Sequence, residues 1–575
     1  MRILILTHTF NSLTQRLFAD LERCGHELSV EFDVNDEVTR EAVAGFDPDL
    51  VLAPFLKRAI PSDIWGQRLC LVVHPGPPGD RGPSALDWAI QSRKGQWGVT
   101  VLQAEAEMDA GPIWAWETFS MRADRKSSLY RNETTEAALS AVHRALDRVA
   151  EGNFRPWSQA DLPAGFEVAT HSPIRQADRA IDWLSDDTAT VLAKLRAADS
   201  QPGVRDLIGD RLVRLFDPHP EGGLSGSPGE LVARRQGAVC RATTDGAVWI
   251  GHLRPEHPGD GEPPFKRPAV EVLGETAADL PESPIGLAPA AHPTFQDLVY
   301  REEGDVGFLH FPFYNGAMGA PECERLMAAY RQALEQPTRV LVLCGGPDFW
   351  SNGMDLKRIE AAASPGHESW RNIQAMDDLV RVILTTHDRL TVAAMRGNAG
   401  AGGVFMALAA DRVLARAGVV LNPHYKNMGN LYGSEYWTYL LPRRMGADAG
   451  AELMERRLPL LAEEAAELGL IDGVVGSTPA ETLAEVAHWA HEQAGSEGLG
   501  HELAAKAERL EAAGGEVGLD AYRAEELEQM RLNFFGFDPS YHVARYNFVH
   551  KVPHSRTPLY LARHRSLRHG RKSTA

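Results

Sequence analysis

Leu69-Cys70-Leu71-Val72-Val73-His74-Pro75-Gly76-Pro77-Pro78-Gly79-Asp80-Arg81-Gly82-Pro83 is an apolar run that stops on a histidine and turns into a loop of glycine and proline. A short apolar stretch bounded by turn formers reads as a buried strand. Arg2–Thr7 and Asp49-Leu50-Val51-Leu52-Ala53 have the same character. Between them Ser12 to Cys24 reads as a helix, with Leu13, Leu17 and Leu21 four residues apart. Strands alternating with helices predict a Rossmann-like parallel α/β sheet, whose ligands sit at the carboxyl ends of the strands. His74 stands at such an end.

Working outward, residues 129–152 read as a helix that closes a first domain, 1–155, and 154–173 as a loop-rich linker. Residues 174–273 combine a helix near Thr188–Ala198 with short strands such as Arg211–Leu215, separated by glycine turns, which fits a small β-barrel-like domain. The Pro- and Ala-rich stretch 274–293 reads as the main linker. Val306–Phe311, Val340–Cys344 and Thr391–Met395 then outline a second α/β core within 294–575, with a helical layer over 476–530. The fold class expected is therefore α/β multidomain.

At 575 residues the chain exceeds one core. Hydrophobic residues at 44% and charged residues at 24% are ordinary for a globular protein. A net charge of −19 speaks against a broad nucleic-acid surface, although Arg545, Lys551, Arg556, Arg563, Arg565, Arg568, Arg571 and Lys572 make the end of the chain locally basic. Five scattered cysteines without CxxC predict no metal site and no disulfide framework. Cys70 and Cys344 read as core thiols. No apolar run approaches the ~18 residues of a membrane span, and a cytoplasmic location is the default expectation.

A second motif set lies downstream. Ser351-Asn352-Gly353-Met354-Asp355-Leu356 precedes Gly397-Asn398-Ala399-Gly400-Ala401-Gly402-Gly403, and an apolar helical run leads to Asp411. A dinucleotide fingerprint is excluded, because its third glycine would be Phe405. A glycine loop opening a helix leaves backbone N–H groups free to meet an anion. The following segment is dense in polar and aromatic side chains: Asn422, His424, Tyr425, Lys426, Asn427, Tyr432, Glu435 and Tyr439.

Two resemblances follow. Pro48–Pro112, with His74, Arg81-Gly82-Pro83, Gly98-Val99-Thr100 and Met108-Asp109-Ala110-Gly111, resembles formyltransferases that use formyl-tetrahydrofolate. It implies that His74 and Asp109 are catalytic, with Arg81, Gly82 and Gly111 binding cofactor. The family's Asn-x-His is here Val72-x-His74, and Val72 donates no side-chain hydrogen bond; Asn11 and Arg81 are the candidate replacements. The stretch from Ile174 to about Pro218 resembles the C-terminal domain of methionyl-tRNA formyltransferases. The acidity of this chain argues against tRNA, and Ser200 and Gln201, in a remodelled turn, are expected to bind another ligand.

The downstream set resembles the enoyl-CoA hydratase (crotonase) superfamily. That resemblance implies an oxyanion hole from the N–H groups of Met354 and Gly402, with Asn352, Gly353 and Gly403 around the cofactor. The two hydratase glutamates correspond to Phe405 and His424, so hydration is not expected, and Tyr425 and Glu435 become the candidate acid and base. A formyltransferase joined to a crotonase-like domain resembles the HypX-type hydrogenase maturation proteins. This implies formyl transfer from 10-formyl-tetrahydrofolate to coenzyme A, then decarbonylation of formyl-CoA to the carbon monoxide of the [NiFe]-hydrogenase site. Its partners would be small-molecule substrates and hydrogenase maturation proteins, with no nucleic acid and no membrane. A formyltransferase acting on an amine, with a separate acyl-CoA-processing or non-catalytic domain, is the alternative.

Overall fold

The structure, a computed structural model, describes residues 1–162, 165–259 and 261–566. The chain divides into two compact units. The first takes Met1–His257, Pro268–Glu282 and the chain from Pro553; the second takes Pro258–Arg267 and Ser283–Val552. The span 294–575 set out from the sequence is thus shared, its last stretch grouping with the first unit.

The first sheet runs in the order Glu27–Phe32, Arg2–Thr7, Leu50–Phe55, Leu69–His74, Gln96–Gln103, Ile113–Ser120. The first four strands are parallel, as expected, and their Leu, Ile and Val side chains, apart from the partly buried Leu69 and Val72, are buried on both faces. The last two, which the sequence reading did not assign, are antiparallel. An apolar run reports burial and not direction, so the reversal after His74 was invisible in the pattern. The helix Ser12–Arg23 starts where the Asn11 side chain accepts the Thr14 N–H, and it buries Leu13, Leu17 and Leu21.

The smaller module orders its strands Leu231–Arg235, Ala238–Ala242, Ala247–Pro255, Arg211–Glu221, Val204–Ile208, all antiparallel. The helix Thr188–Ala198, capped by Asp187, covers this sheet with Val191 and Leu195 against Val213, Val248 and Ile250.

Of the locally basic end, Arg545 pairs with Glu360 within the second unit at 2.7 Å, and the part from Pro553 onward is held by acidic groups of the first unit. Arg556 meets Glu41 at 2.9 Å and Arg563 meets Glu22 at 2.6 Å. His564 bonds the Ser29 hydroxyl at 2.7 Å and lies 3.0 Å from Glu31, both contacts buried. Arg568, Arg571 and Lys572 lie outside the described residues.

The second unit is built on a sheet in the order Val299–Glu303, Val306–Phe311, Val340–Gly345, Leu390–Met395, Arg412–Ala415, Gly473–Val474, parallel after its first pair. A smaller sheet of Phe349–Ser351, Asn398–Gly400, Val420–Asn422 and Leu460–Leu461 carries the glycine motifs. Asp411 ties two strands together: it accepts the Thr391 N–H and hydroxyl at 2.8 Å each and pairs with Lys506 at 2.7 Å. Pro479–Gly495, Leu499–Ala512 and Gly515–Phe535 supply the expected helical layer.

Candidate functional site

His74 is the last residue of its strand, as the sequence placed it, and is buried between two carboxylates. Its Nε2 is 2.8 Å from Asp80 Oδ2, and its Nδ1 is 3.6 Å from Asp109 Oδ1. Asp109 sits at φ 56° on its turn and accepts the Gly82 N–H at 3.1 Å. Gln159 locks that turn, donating to the Asp109 and Gly111 carbonyls at 2.8 and 2.9 Å while accepting from Arg81 Nε at 3.0 Å. The structure therefore brings together His74, Asp109, Arg81, Gly82 and Gly111. Gly76 is obligatory, because a Cβ there would lie 2.4 Å from Asp80 and 2.6 Å from His74 Nε2.

Asp80 and Gln159 were not singled out in the sequence. Asp80 stands inside the quoted motif, six residues after His74, and that position was its only signal. The Nε2 of His171 lies 3.0 Å from its other oxygen. A carboxylate bonded to one imidazole nitrogen fixes the tautomer and stabilises the imidazolium, leaving the other nitrogen for proton transfer. We expect Asp80→Asn to slow formyl loss from formyl-tetrahydrofolate about 10²-fold, the low end of general acid–base contributions. Steady-state kinetics check this, with the folate KM expected to stay within about threefold.

Neither candidate substitute for the family asparagine is spare. Asn11 caps its helix, and its amide donates to Tyr130 at 3.4 Å. Arg81 is engaged by Gln159 and lies 3.4 Å from Glu107. Ser200 and Gln201 lie on the turn between Thr188–Ala198 and Val204–Ile208, where Lys126 donates to the Gln201 carbonyl at 2.7 Å.

In the second unit Met318 brackets Met354: its N–H donates to Gly353 O at 2.9 Å and its carbonyl accepts from Asp355 at 3.3 Å. Gly402 opens the helix Gly402–Leu408 after Ala401 donates to Asn422 O at 2.9 Å. Neither the Met354 nor the Gly402 N–H donates to a backbone carbonyl among the described residues. A Cβ on Gly353 would come within 3.5 Å of Gly402 N, so the two loops abut. A Cβ on Gly403 would fall 2.1 Å from Ser351 O, which only glycine permits. Asn352 donates to Asn315 O at 2.8 Å and holds the outer edge of the turn.

Tyr425 and Glu435 join this site. A Cβ on Gly402 would lie 2.1 Å from Glu435 Oε1, so the carboxyl rests directly on the glycine whose N–H opens the helix. The Tyr425 hydroxyl has two acceptors in reach, Ser434 O at 3.0 Å and Glu435 Oε2 at 2.5 Å, and one proton to give. With Glu435 ionised the Tyr425 hydroxyl donates to its Oε2; with Glu435 protonated the direction reverses and Tyr425 donates to Ser434 O. The electrostatics favour the protonated form: burial, then the neighbouring Asp377, pushes the Glu435 carboxyl up to about 8. Burial, then Glu435, raises the Tyr425 phenol well above its usual value.

Phe405 and His424, where the crotonase resemblance is expected to place the hydratase glutamates, carry no carboxylate. Phe405 stacks on Tyr425 with ring centroids 5.5 Å apart. His424 is buried, with neither ring nitrogen hydrogen-bonded among the described residues. Burial, then the Arg457 charge, pushes its pKa down to about 4, so it is neutral near pH 7. Other polar neighbours are engaged: Lys426 pairs with Glu455 at 2.6 Å, Arg443 donates to Tyr439, and Tyr432 packs on Trp437.

Residues 310–517 match the enoyl-CoA hydratase/isomerase family, and 173–259 match the formyl transferase C-terminal domain. A hydrogenase maturation factor HoxX of Bradyrhizobium diazoefficiens is 55% identical over 567 residues, 98% of this chain and 97% of that protein. The crystal structure of HypX from Aquifex aeolicus in complex with tetrahydrofolic acid superposes with a TM-score of 0.95 at 48% identity, covering 98% of this chain and 99% of that one. A methionyl-tRNA formyltransferase of Citrifermentans bemidjiense is 24% identical over 220 residues, 38% of this chain and 67% of its own length.

Proposed function

The chain belongs to the HypX/HoxX family of hydrogenase maturation factors, and we propose that it makes carbon monoxide in two steps. The first moves a formyl group from 10-formyl-tetrahydrofolate to the thiol of coenzyme A. The second splits formyl-CoA into carbon monoxide and coenzyme A. The folate donor is supported by the tetrahydrofolic acid bound in the Aquifex protein and by the formyltransferase domain matched here.

In the first step His74 takes the thiol proton as sulfur attacks the formyl carbon. The bond from carbon to the folate nitrogen then breaks, and the imidazolium returns the proton to that nitrogen. Asp80 and Asp109 flank the imidazole, one at each ring nitrogen, and fix its orientation. A thiol is already more acidic than an amine, at about 8.5 in the cysteine reference, so less oxyanion assistance is needed where Val72 replaces an amide.

In the second step the thioester oxygen lies at the Met354 and Gly402 N–H groups. The carbon–sulfur bond breaks with its electron pair going to sulfur, which takes the proton held by Glu435. The formyl C–H proton passes to the Tyr425–Glu435 pair, and the electron pair left on carbon completes carbon monoxide. One proton leaves the pair and one enters it, so the site is regenerated and no water is consumed.

The observation that carries this reading is the Glu435 carboxyl resting on Gly402 and bonded to Tyr425, where the hydratase carboxylates are replaced by Phe405 and His424. Supplying synthetic formyl-CoA labelled at the formyl carbon tests it: labelled carbon monoxide with stoichiometric free thiol is expected. Labelled formate as the main product would mean hydrolysis and would overturn the second step.

A further inference from the structure

Glu435 is delivered to Gly402 by an unusual turn. Gly433 has φ 94°, and the two non-glycine residues Glu435 and Tyr436 follow at 62° and 60°. Successive side-chain-bearing residues in the left-handed region are rare and persist only when their surroundings hold them. Here the turn's N–H groups are taken by carboxylates from two distant helices.

Asp377, in the helix Pro365–Thr385, is fully buried. It accepts the Glu435 N–H at 2.9 Å and the Ser434 hydroxyl at 2.8 and 2.9 Å. Glu526, in the helix Gly515–Phe535, accepts the Tyr436 N–H at 2.9 Å, the Thr438 N–H at 2.8 Å and the Thr438 hydroxyl at 2.6 Å. Arg523, one turn before Glu526, lies 3.6 Å from Asp377 and 2.7 Å from Asp378.

We propose that Asp377 and Glu526 are positioning residues of the acyl site, acting on the thioester only through Glu435, whose carboxyl they hold against Gly402. The inference rests on the decarbonylation reading above. A buried carboxylate is a costly way to satisfy a turn, and two of them converge on the three residues Ser434, Glu435 and Tyr436. They aim a third carboxyl at the oxyanion donor, and neither is within the motif that carries Tyr425. The pair fixes where the proton of Glu435 points, and misplacing a reacting group by about 1 Å can cost ~10²-fold in rate.

The test uses the full-length protein with formyl-CoA supplied directly. Asp377→Ala, which removes the acceptor of the Glu435 N–H and of the Ser434 hydroxyl, is expected to lower kcat for carbon monoxide release about 10²-fold. Asp377→Asn keeps one acceptor oxygen for the Glu435 N–H and is expected to recover about tenfold of that loss. KM for formyl-CoA should stay within about twofold and the melting transition should persist in Asp377→Asn. Formyl loss from formyl-tetrahydrofolate at the other site should be unchanged. Equal kcat for wild type and Asp377→Ala overturns the inference alone. A kcat loss in Asp377→Asn that comes with a raised KM or a lost melting transition also overturns it, since that is general destabilisation. If the wild-type chain releases no carbon monoxide from formyl-CoA, the reading beneath it falls and takes this inference with it.

Discussion

His74→Ala is expected to slow formyl loss from 10-formyl-tetrahydrofolate by about 10²–10⁴-fold. The imidazole is the one base seated between Asp80 and Asp109, and an alanine there leaves two carboxylates facing each other with no group able to shuttle the thiol proton. Asp109 is held by the Gly82 N–H, and Asp80 has the His171 Nε2 3.0 Å from its other oxygen. The loss should appear in kcat, since His74 acts on the reacting atoms and not on the remote parts of the folate. Carbon monoxide release from supplied formyl-CoA should be untouched, because that chemistry belongs to other residues. A folate-dependent rate within about threefold of wild type would remove His74 from its role.

Glu435→Gln is expected to reduce carbon monoxide release by about 10²–10⁴-fold while formyl transfer continues, so that formyl-CoA accumulates. Glutamine preserves shape and can still donate to the Tyr425 oxygen, but it has no proton to give to sulfur. The same residue sets a pH profile. Its carboxyl, pushed up to about 8 by burial and by Asp377, is protonated below that pH and ionised above it. With the protonated form as the working one, kcat for carbon monoxide release falls as pH rises through about 8, the range in which the neighbouring buried Asp377 and Glu526 titrate as well, at about 7 and about 8. A rate rising with pH through that window would mean that Glu435 works as a carboxylate base from the start. Stopped assays of carbon monoxide and of formyl-CoA across pH 6 to ~10 check both points.

Much of this was legible in the amino-acid sequence, for a physical reason. His74 and Asp109 lie in local turns whose glycines announce a close approach, and Gly402-Gly403 opens an apolar helix, so each motif carries its own geometry. Tyr425 and Glu435 were visible as polar side chains in a stretch bordering that helix. Asp377 and Glu526 were not legible. Asp377 reaches Glu435 across 58 positions and Glu526 reaches Tyr436 across 90, and each looks locally like the solvated acid of an ordinary helix. Gln159 lay in a stretch read as a linker, and its two carbonyl acceptors are set by tertiary packing alone. The direction of the Gln96–Gln103 and Ile113–Ser120 strands was also hidden, because a buried apolar run is the same for either polarity. The basic end of the chain could be read for charge, but its pairing with Glu22 and Glu41 depends on where the last residues return.

The most direct measurement is carbon monoxide formation by the purified chain given 10-formyl-tetrahydrofolate, with and without coenzyme A, followed by haemoglobin difference spectra. The expected result is carbon monoxide only when coenzyme A is present, abolished by either His74→Ala or Glu435→Gln, with formyl-CoA building up in the second variant alone. Loss of formyl-folate with no carbon monoxide, or carbon monoxide formed without coenzyme A, would contradict the two-step account.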